Sequence, residues 1–293
     1  MSAGDAPAPT ERATMARALY RFRQSALSLV GAAMVLALLA VVLAAPWIAP
    51  HPEHAAGGFA MGARFAPPSA QAWFGTNELG QDVLSLVLIG GRVSLLSGVA
   101  VVVAATIIGT LVGAAAGYAG GLIDEALMRF TDLWLTLPGL ILAMALAAAL
   151  GPGVANMIFA IAVAWWPGYA RLVRGETLAR KEEAYVQAAR ALGAGPLRIV
   201  GRHILPNIVS PIVVKMSLDV GFAILTVASL GFVGIGVKPP TPEWGSLLSN
   251  ARGYLPDFWW TAIFPGLAIF LAVFGFNLLG DGLRDVLDPR ARR

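Results

Sequence analysis

Six runs of apolar residues, the first unbroken from Ala26 to Ile48, constrain this chain more than any other feature. In a bilayer core every backbone N–H and C=O must be satisfied within the protein, so only helices and closed barrels can cross. An apolar run of about 20 residues matches a hydrocarbon core of roughly 30 Å as a helix, and is about twice the length of a barrel strand. The runs fall at 26–48, 94–118, 137–150, 154–169, 208–237 and 258–279. The expected fold class is therefore all-α, a polytopic membrane protein with six transmembrane helices. Only 13% of the residues are charged, against about 25% in an ordinary soluble chain. The first run follows a polar lead and has no small-residue cleavage pattern after it, so it reads as a retained anchor.

The segments between the runs differ in kind. Residues 1–25 form a tail carrying Arg12, Arg17, Arg21 and Arg23, and 49–92 a Pro/Gly/Ala-rich loop on the opposite side. Near the end of that loop Thr76 or Asn77 is placed to cap a short interfacial helix, which Gly90 and Gly91 should break. Residues 93–279 form the core, with a long polar interval at 171–206, and 280–293 a second polar tail. Gly109, Gly113 and Gly117 recur every fourth residue and predict a smooth stripe for close helix contact. With both termini in the cytoplasm, sixteen Lys and Arg residues fall on the cytoplasmic side and only Arg64, Lys238, Arg252 and the boundary residue Arg92 on the other. That bias fixes the expected orientation and puts the polar interval in the cytoplasm.

The interval reads RLVRGETLARKEEAYVQAARALGAGPLRIVGRHILP. Helix formers fill Glu176 to Leu192, Gly193 suits a left-handed helix end, and Pro196 suits the first turn of a second helix. The expectation is a helical hairpin whose second arm stops before Pro206. Ala184, Ala188 and Ala189 are small enough for another protein surface to approach closely, and Glu182, Glu183, Arg190, Arg198 and Arg202 supply a polar rim. A solvated amphipathic loop is the alternative.

Other chemistry is sparse. There is no GxxxxGK(S/T) phosphate loop, no HExxH, no GxSxG and no cysteine, so a catalytic centre is not expected. His51, His54 and His203 are too scattered to predict a metal site. In the fifth run Lys215 and Asp219 stand four apart on one helix face. They suit either a polar patch on a substrate path or a structural pair, because intramembrane charges commonly neutralise each other. Trp244, Trp259 and Trp260 are assigned first to an interfacial aromatic belt.

QAARALG at Gln187–Gly193, followed by ILP at Ile204–Pro206, resembles the EAA loop of permease subunits in ATP-binding-cassette importers. With FGTNELGQDVLS, GVKPPTPEWGSLL and FNLLGDGLRDVLDPR, the chain resembles the dipeptide, oligopeptide and nickel branch over about half its length. Gln187 and His203 depart from the loop pattern, where glutamate and isoleucine are usual, and Gln81 and Leu86 stand where the branch commonly shows arginines. The resemblance implies an ATPase-coupling role for Glu182, Glu183, Ala184, Ala188, Ala189, Arg190, Gly193, Arg198, Arg202, Leu205 and Pro206. It implies binding-protein docking near Thr76, Asn77, Leu79, Gly80 and Asp82, for which an interfacial helix merely packed on the bundle is the rival reading.

It further implies a prokaryotic plasma-membrane location. The partners would be a second homologous permease, two ATPase subunits that hold ATP and Mg, and a periplasmic or lipid-anchored substrate-binding protein. No cofactor would reside in this chain and no nucleic acid would bind it. Di- and oligopeptides are the expected cargo, with nickel, glutathione or opines as alternatives. A secondary carrier driven by an ion gradient is the rival of another class, though the internal repeats and broken helices common in such carriers are not visible here. A membrane-embedded enzyme ranks third.

Overall fold

The computed structural model describes residues 25–60 and 63–287, so the basic N-terminal tail and the last six residues lie outside it. Apart from one isolated bridge between Thr76 and Asp82, the described residues form helices, turns and loops. The long elements are α1 (Ala26–Ile48), α2 (Val83–Ala119), α3 (Gly121–Leu135), α4 (Gly139–Leu150) and α5 (Val154–Lys181). Then come α6 (Ala184–Ala191), α7 (Pro196–Ile199), α8 (Val209–Val233), α9 (Trp244–Ala251) and α10 (Trp260–Leu287).

Four segments are long and apolar enough to cross a bilayer: α1, α2, Pro196–Val233 and α10. A fifth appears if α3 and α4, bent by 88° about Pro138, are taken together. In α5 only the first half is apolar, and the second carries Arg171, Arg174, Glu176, Arg180 and Lys181.

The centre is the α2–α5 pair, and the glycine stripe explains it. A Cβ on Gly109 would come within 2.6 Å of the Trp166 carbonyl, and one on Gly113 within 2.4 Å of the Ala170 carbonyl. Such contacts require glycine, so the stripe is a packing surface. Pro167 sits inside α5 and cannot bond the Val163 carbonyl four residues back. That freed acceptor takes the indole N–H of Trp134 at 2.9 Å, which tethers α3 to α5. α1 lies against α10, where a Cβ on Gly31 would meet the backbone of Leu278 and Leu279.

Several sequence expectations are corrected. The short interfacial helix before Gly90 is the first two turns of α2, which continues for 37 residues, and its cap is Asp82. Gly90 and Gly91 do not break it, because they admit neighbours: a Cβ on Gly91 would lie 2.8 Å from both Trp244 and Val42. The sixth apolar helix starts at Trp260 and extends beyond residue 279 into the polar tail, to Leu287. Trp244 and Trp260 are buried and donate their indole N–H to the carbonyls of Val87 (2.8 Å) and Thr76 (3.1 Å). Of the three belt candidates only Trp259 is exposed.

Candidate functional site

The segment between α1 and α2 closes on itself, largely through side chain to backbone bonds. Asp82 caps α2, its carboxylate accepting the Ser85 N–H at 2.8 Å and the Ser85 hydroxyl at 2.6 Å. The same hydroxyl oxygen accepts the His51 N–H at 2.9 Å. Asn77 Oδ1 accepts the N–H groups of Leu79 and Gln81, and its amide donates to Gln81 Oε1 at 2.8 Å. Gln81 Nε2 donates to the carbonyls of His54 and Gly58. The Thr76 hydroxyl accepts the Ala66 N–H and donates to the Ala63 carbonyl.

Thr76, Asn77, Gly80 and Asp82 are therefore buried, and of the five docking candidates only Leu79 is exposed. The polar side-chain atoms of Thr76, Asn77 and Asp82 are engaged by the chain's own groups. Together with Gly80 they build a clasp. Gln81 and Leu86 are buried as well.

His51 and His54 come together with Glu53, their ligating atoms within 4.8 Å of one another, a grouping the spacing did not reveal. His54 Nδ1, however, accepts the Asp82 N–H at 2.9 Å, which leaves the ring proton on Nε2. Burial first, and the adjacent His51 second, push His54 below the usual histidine range.

Behind the clasp lies Glu243, whose side chain is fully buried. It caps α9: Oε1 accepts the Gly245 N–H (2.9 Å) and the Ser94 hydroxyl (3.0 Å), and Oε2 accepts the Ser246 N–H (2.9 Å). Burial pushes its carboxyl up, opposed by those three donors. The stretch 241–257, expected from its composition as a loop, contains the helix α9. The glutamate directly before a helix start was the available signal.

At the other end of α2 the polar interval takes a different form from the expected hairpin. The helix stops at Lys181, and α6 begins afresh at Ala184. It ends at Gly193 (φ +81°), where the Ala194 N–H reaches the Ala189 carbonyl and the Gly193 N–H the Arg190 carbonyl, both at 3.0 Å. That pair of bonds is a Schellman cap. The second arm does not stop before Pro206. From Pro196 it runs through a wide π turn, Val200–Ile204, and a 3-10 turn, Leu205–Ile208, directly into α8. Pro206 would collide with the Arg202 carbonyl in a regular helix, and the widened turn removes the collision.

Val186, Ile199, Ile204, Ile208 and Ile212 are buried together against Ala114 of α2 and Val173 of α5. Ala189, three residues after Val186 and so on the same side of α6, is buried too. Leu205 is half-buried, whereas Glu182, Glu183, Ala184, Ala188, Arg190, Gly193, Arg198, Arg202 and Pro206 are exposed. Two residues missed in sequence dominate the tip: Leu192 is 89% and Leu197 90% exposed. Apolar side chains presented on both sides of a capped glycine turn are the signal that would have found them.

Lys215 and Asp219 pair at 2.9 Å, and the ammonium lies 4.9 Å from the Tyr169 ring centre. The pair lies within α8, and its ring contact joins α8 to α5 beside the buried hydroxyls of Tyr169 and Thr106, which have no hydrogen-bond partner among the described residues.

These features define a polytopic, all-helical membrane protein. Residues 109–293 match the family model described as the binding-protein-dependent transport system inner membrane component, and residues 14–68 the N-terminal TM domain of oligopeptide transport permease C. The chain belongs to this family of inner-membrane permeases, whose members are transport components. It is 44% identical over 285 residues to a probable D,D-dipeptide transport system permease protein of Escherichia coli, covering 97% of this chain and 95% of the relative. It is 47% identical over 272 residues to a glutathione transport system permease protein of Shigella flexneri, covering 93% and 89%.

Proposed function

We propose that this chain is the translocation subunit of an ATP-driven importer for di- or oligopeptides. It has six crossings, with α5 completing the count, and both termini in the cytoplasm. A second permease lies beside it, two ATPase subunits hold ATP and Mg beneath it, and a binding protein delivers cargo from outside. The observation that carries the reading is the α6–α7 turn, which is fixed by its apolar underside to α2 and α5 and offers Leu192 and Leu197 to the aqueous phase. ATP-driven closure of the ATPases would push this turn, and α2, α5 and α8 would carry the movement into the bundle. Lys215 and Asp219 would lie along the path so opened.

The test is co-purification with the ATPase and coupled uptake in proteoliposomes. Gly193→Pro removes both the left-handed conformation and the N–H that caps α6, and should abolish coupled uptake while the bundle stays folded. Unchanged uptake would defeat the coupling role. Glutathione is the alternative cargo favoured by a specific observation, the 47% identical relative. Affinities of the cognate binding protein for glutathione and for dipeptides decide between them.

A further inference from the structure

Between the outer ends of α4, α8 and α9 and the clasp lies a cavity of about 630 Å³, within the roughly 300–1,000 Å³ of small-molecule pockets. Its walls are largely apolar or small, with Leu86, Ala148, Val237 and Leu247 among them. Three of the neutral polar side chains at its edge are already engaged, Asn77 and Gln81 in the clasp and the Ser246 hydroxyl on the Glu243 carbonyl, while Thr241, Ser249 and Asn250 also line it. Two lining side chains carry charge, Glu78 and Lys238. Neither makes an ion pair or a side-chain hydrogen bond among the described residues. Every other intramembrane or clasp carboxylate described above has its partner.

We infer that this cavity is a receiving site for a zwitterionic short peptide, with Lys238 taking the terminal carboxylate and Glu78 the terminal ammonium. This rests on the peptide-import reading and adds the charge class of the cargo to it. One cation and one anion on otherwise neutral, largely apolar walls favour a solute of zero net charge. A second carboxylate on the solute would face Glu78 or the apolar wall unpaired, which is unfavourable in such surroundings.

Because the chain has no cysteine, Ser249→Cys, on the cavity lining, provides one thiol to follow in this subunit. The complete importer in proteoliposomes is treated with a membrane-impermeant maleimide, and modification of this subunit is timed with alanyl-alanine, its C-terminal amide, its N-acetyl form or S-methylglutathione present. Alanyl-alanine at ten times its half-protecting concentration should slow modification about tenfold. The amide, the acetyl form and S-methylglutathione should protect far less, and protection by alanyl-alanine should disappear in Lys238→Gln and in Glu78→Gln. Equal protection by the capped forms, or protection that persists in both variants, would overturn the assignment. Uptake of alanyl-alanine from its loaded binding protein is measured in parallel. Uptake without protection sinks the cavity site alone, whereas absent peptide uptake sinks the peptide-import reading.

Discussion

The clasp and the α6–α7 turn are attached to opposite ends of α2, and they are finished in opposite ways. At the clasp and directly behind it, polar side chains point inward and bond the chain's own backbone, so that Asp82, Asn77, Gln81 and Glu243 satisfy its donors and acceptors. At the turn, apolar side chains hold the underside while charged groups and two leucines remain exposed. The first is complete within one chain. The second has the composition of a surface awaiting a partner. Stability should therefore respond to substitutions at the clasp, and coupling to substitutions at the turn.

The largest effect is expected at the clasp. Glu243→Ala strands two backbone N–H groups and the Ser94 hydroxyl in a buried site, and at about 1–3 kcal/mol for each orphaned donor it should destabilise the bundle by about 3 kcal/mol or more. Thermal unfolding in detergent measures this, and an unchanged midpoint would break the comparison. Next comes a pair within one helix. Ala189→Leu forces atoms into a packed cluster, at about 1–3 kcal/mol, whereas the exposed Ala188→Leu should leave the unfolding midpoint in place and weaken only ATPase co-purification.

Leu192→Asp combined with Leu197→Asp should lower ATPase affinity by about tenfold, equivalent to about 1.4 kcal/mol, with the fold intact. Equal loss of fold and of coupling would merge the two regions into one. A smaller effect concerns pH. His54 is held below its ordinary pKa of 6.5 in the folded chain, so the unfolded state binds the proton more readily. The stability it gives the clasp is present above about pH 6.5 and declines as pH falls from there through the folded value. The groups facing it are His51, Glu53 and Asp82. The protection factor of the Asp82 amide, its exchange rate taken relative to the intrinsic rate at each pH, should fall on acidification, and His54→Asn, which keeps an acceptor without a titration, should flatten that response. Arg129→Ala sets the baseline, since its pair with Glu125 is largely exposed and should contribute no more than about 0.5 kcal/mol.

The α-helical class, the apolar runs, the glycine stripe and the long polar interval were legible because each leaves a periodic or compositional trace over many residues. What escaped depends on distant partners. Gly90 and Gly91 resemble a break until Pro242 and Glu243 are seen against the first and Trp244 and Val42 against the second. Asp82 and not Thr76 is the cap, a choice made by which side chain the folded loop turns toward Ser85. Local spacing also hid the side of α6 on which Ala189 falls, because that depends on the cluster beneath it. The Pro206 boundary was misplaced for another reason: a π turn absorbs the proline, and its signature is not in local propensity.

The unbroken course of α2 has a consequence for tolerated change. Adding or deleting one residue along it would turn one end about 100° relative to the other and shift it about 1.5 Å along the axis. The Asp82 cap and the Gly117 contact, where Lys181 reaches the Gly117 carbonyl at 3.1 Å, would then lie out of phase and could not both form. The count of residues between them is thus fixed as firmly as any side chain. The length of this helix is itself a piece of encoded information, readable in any variant as an intolerance of insertion where substitution is still accepted.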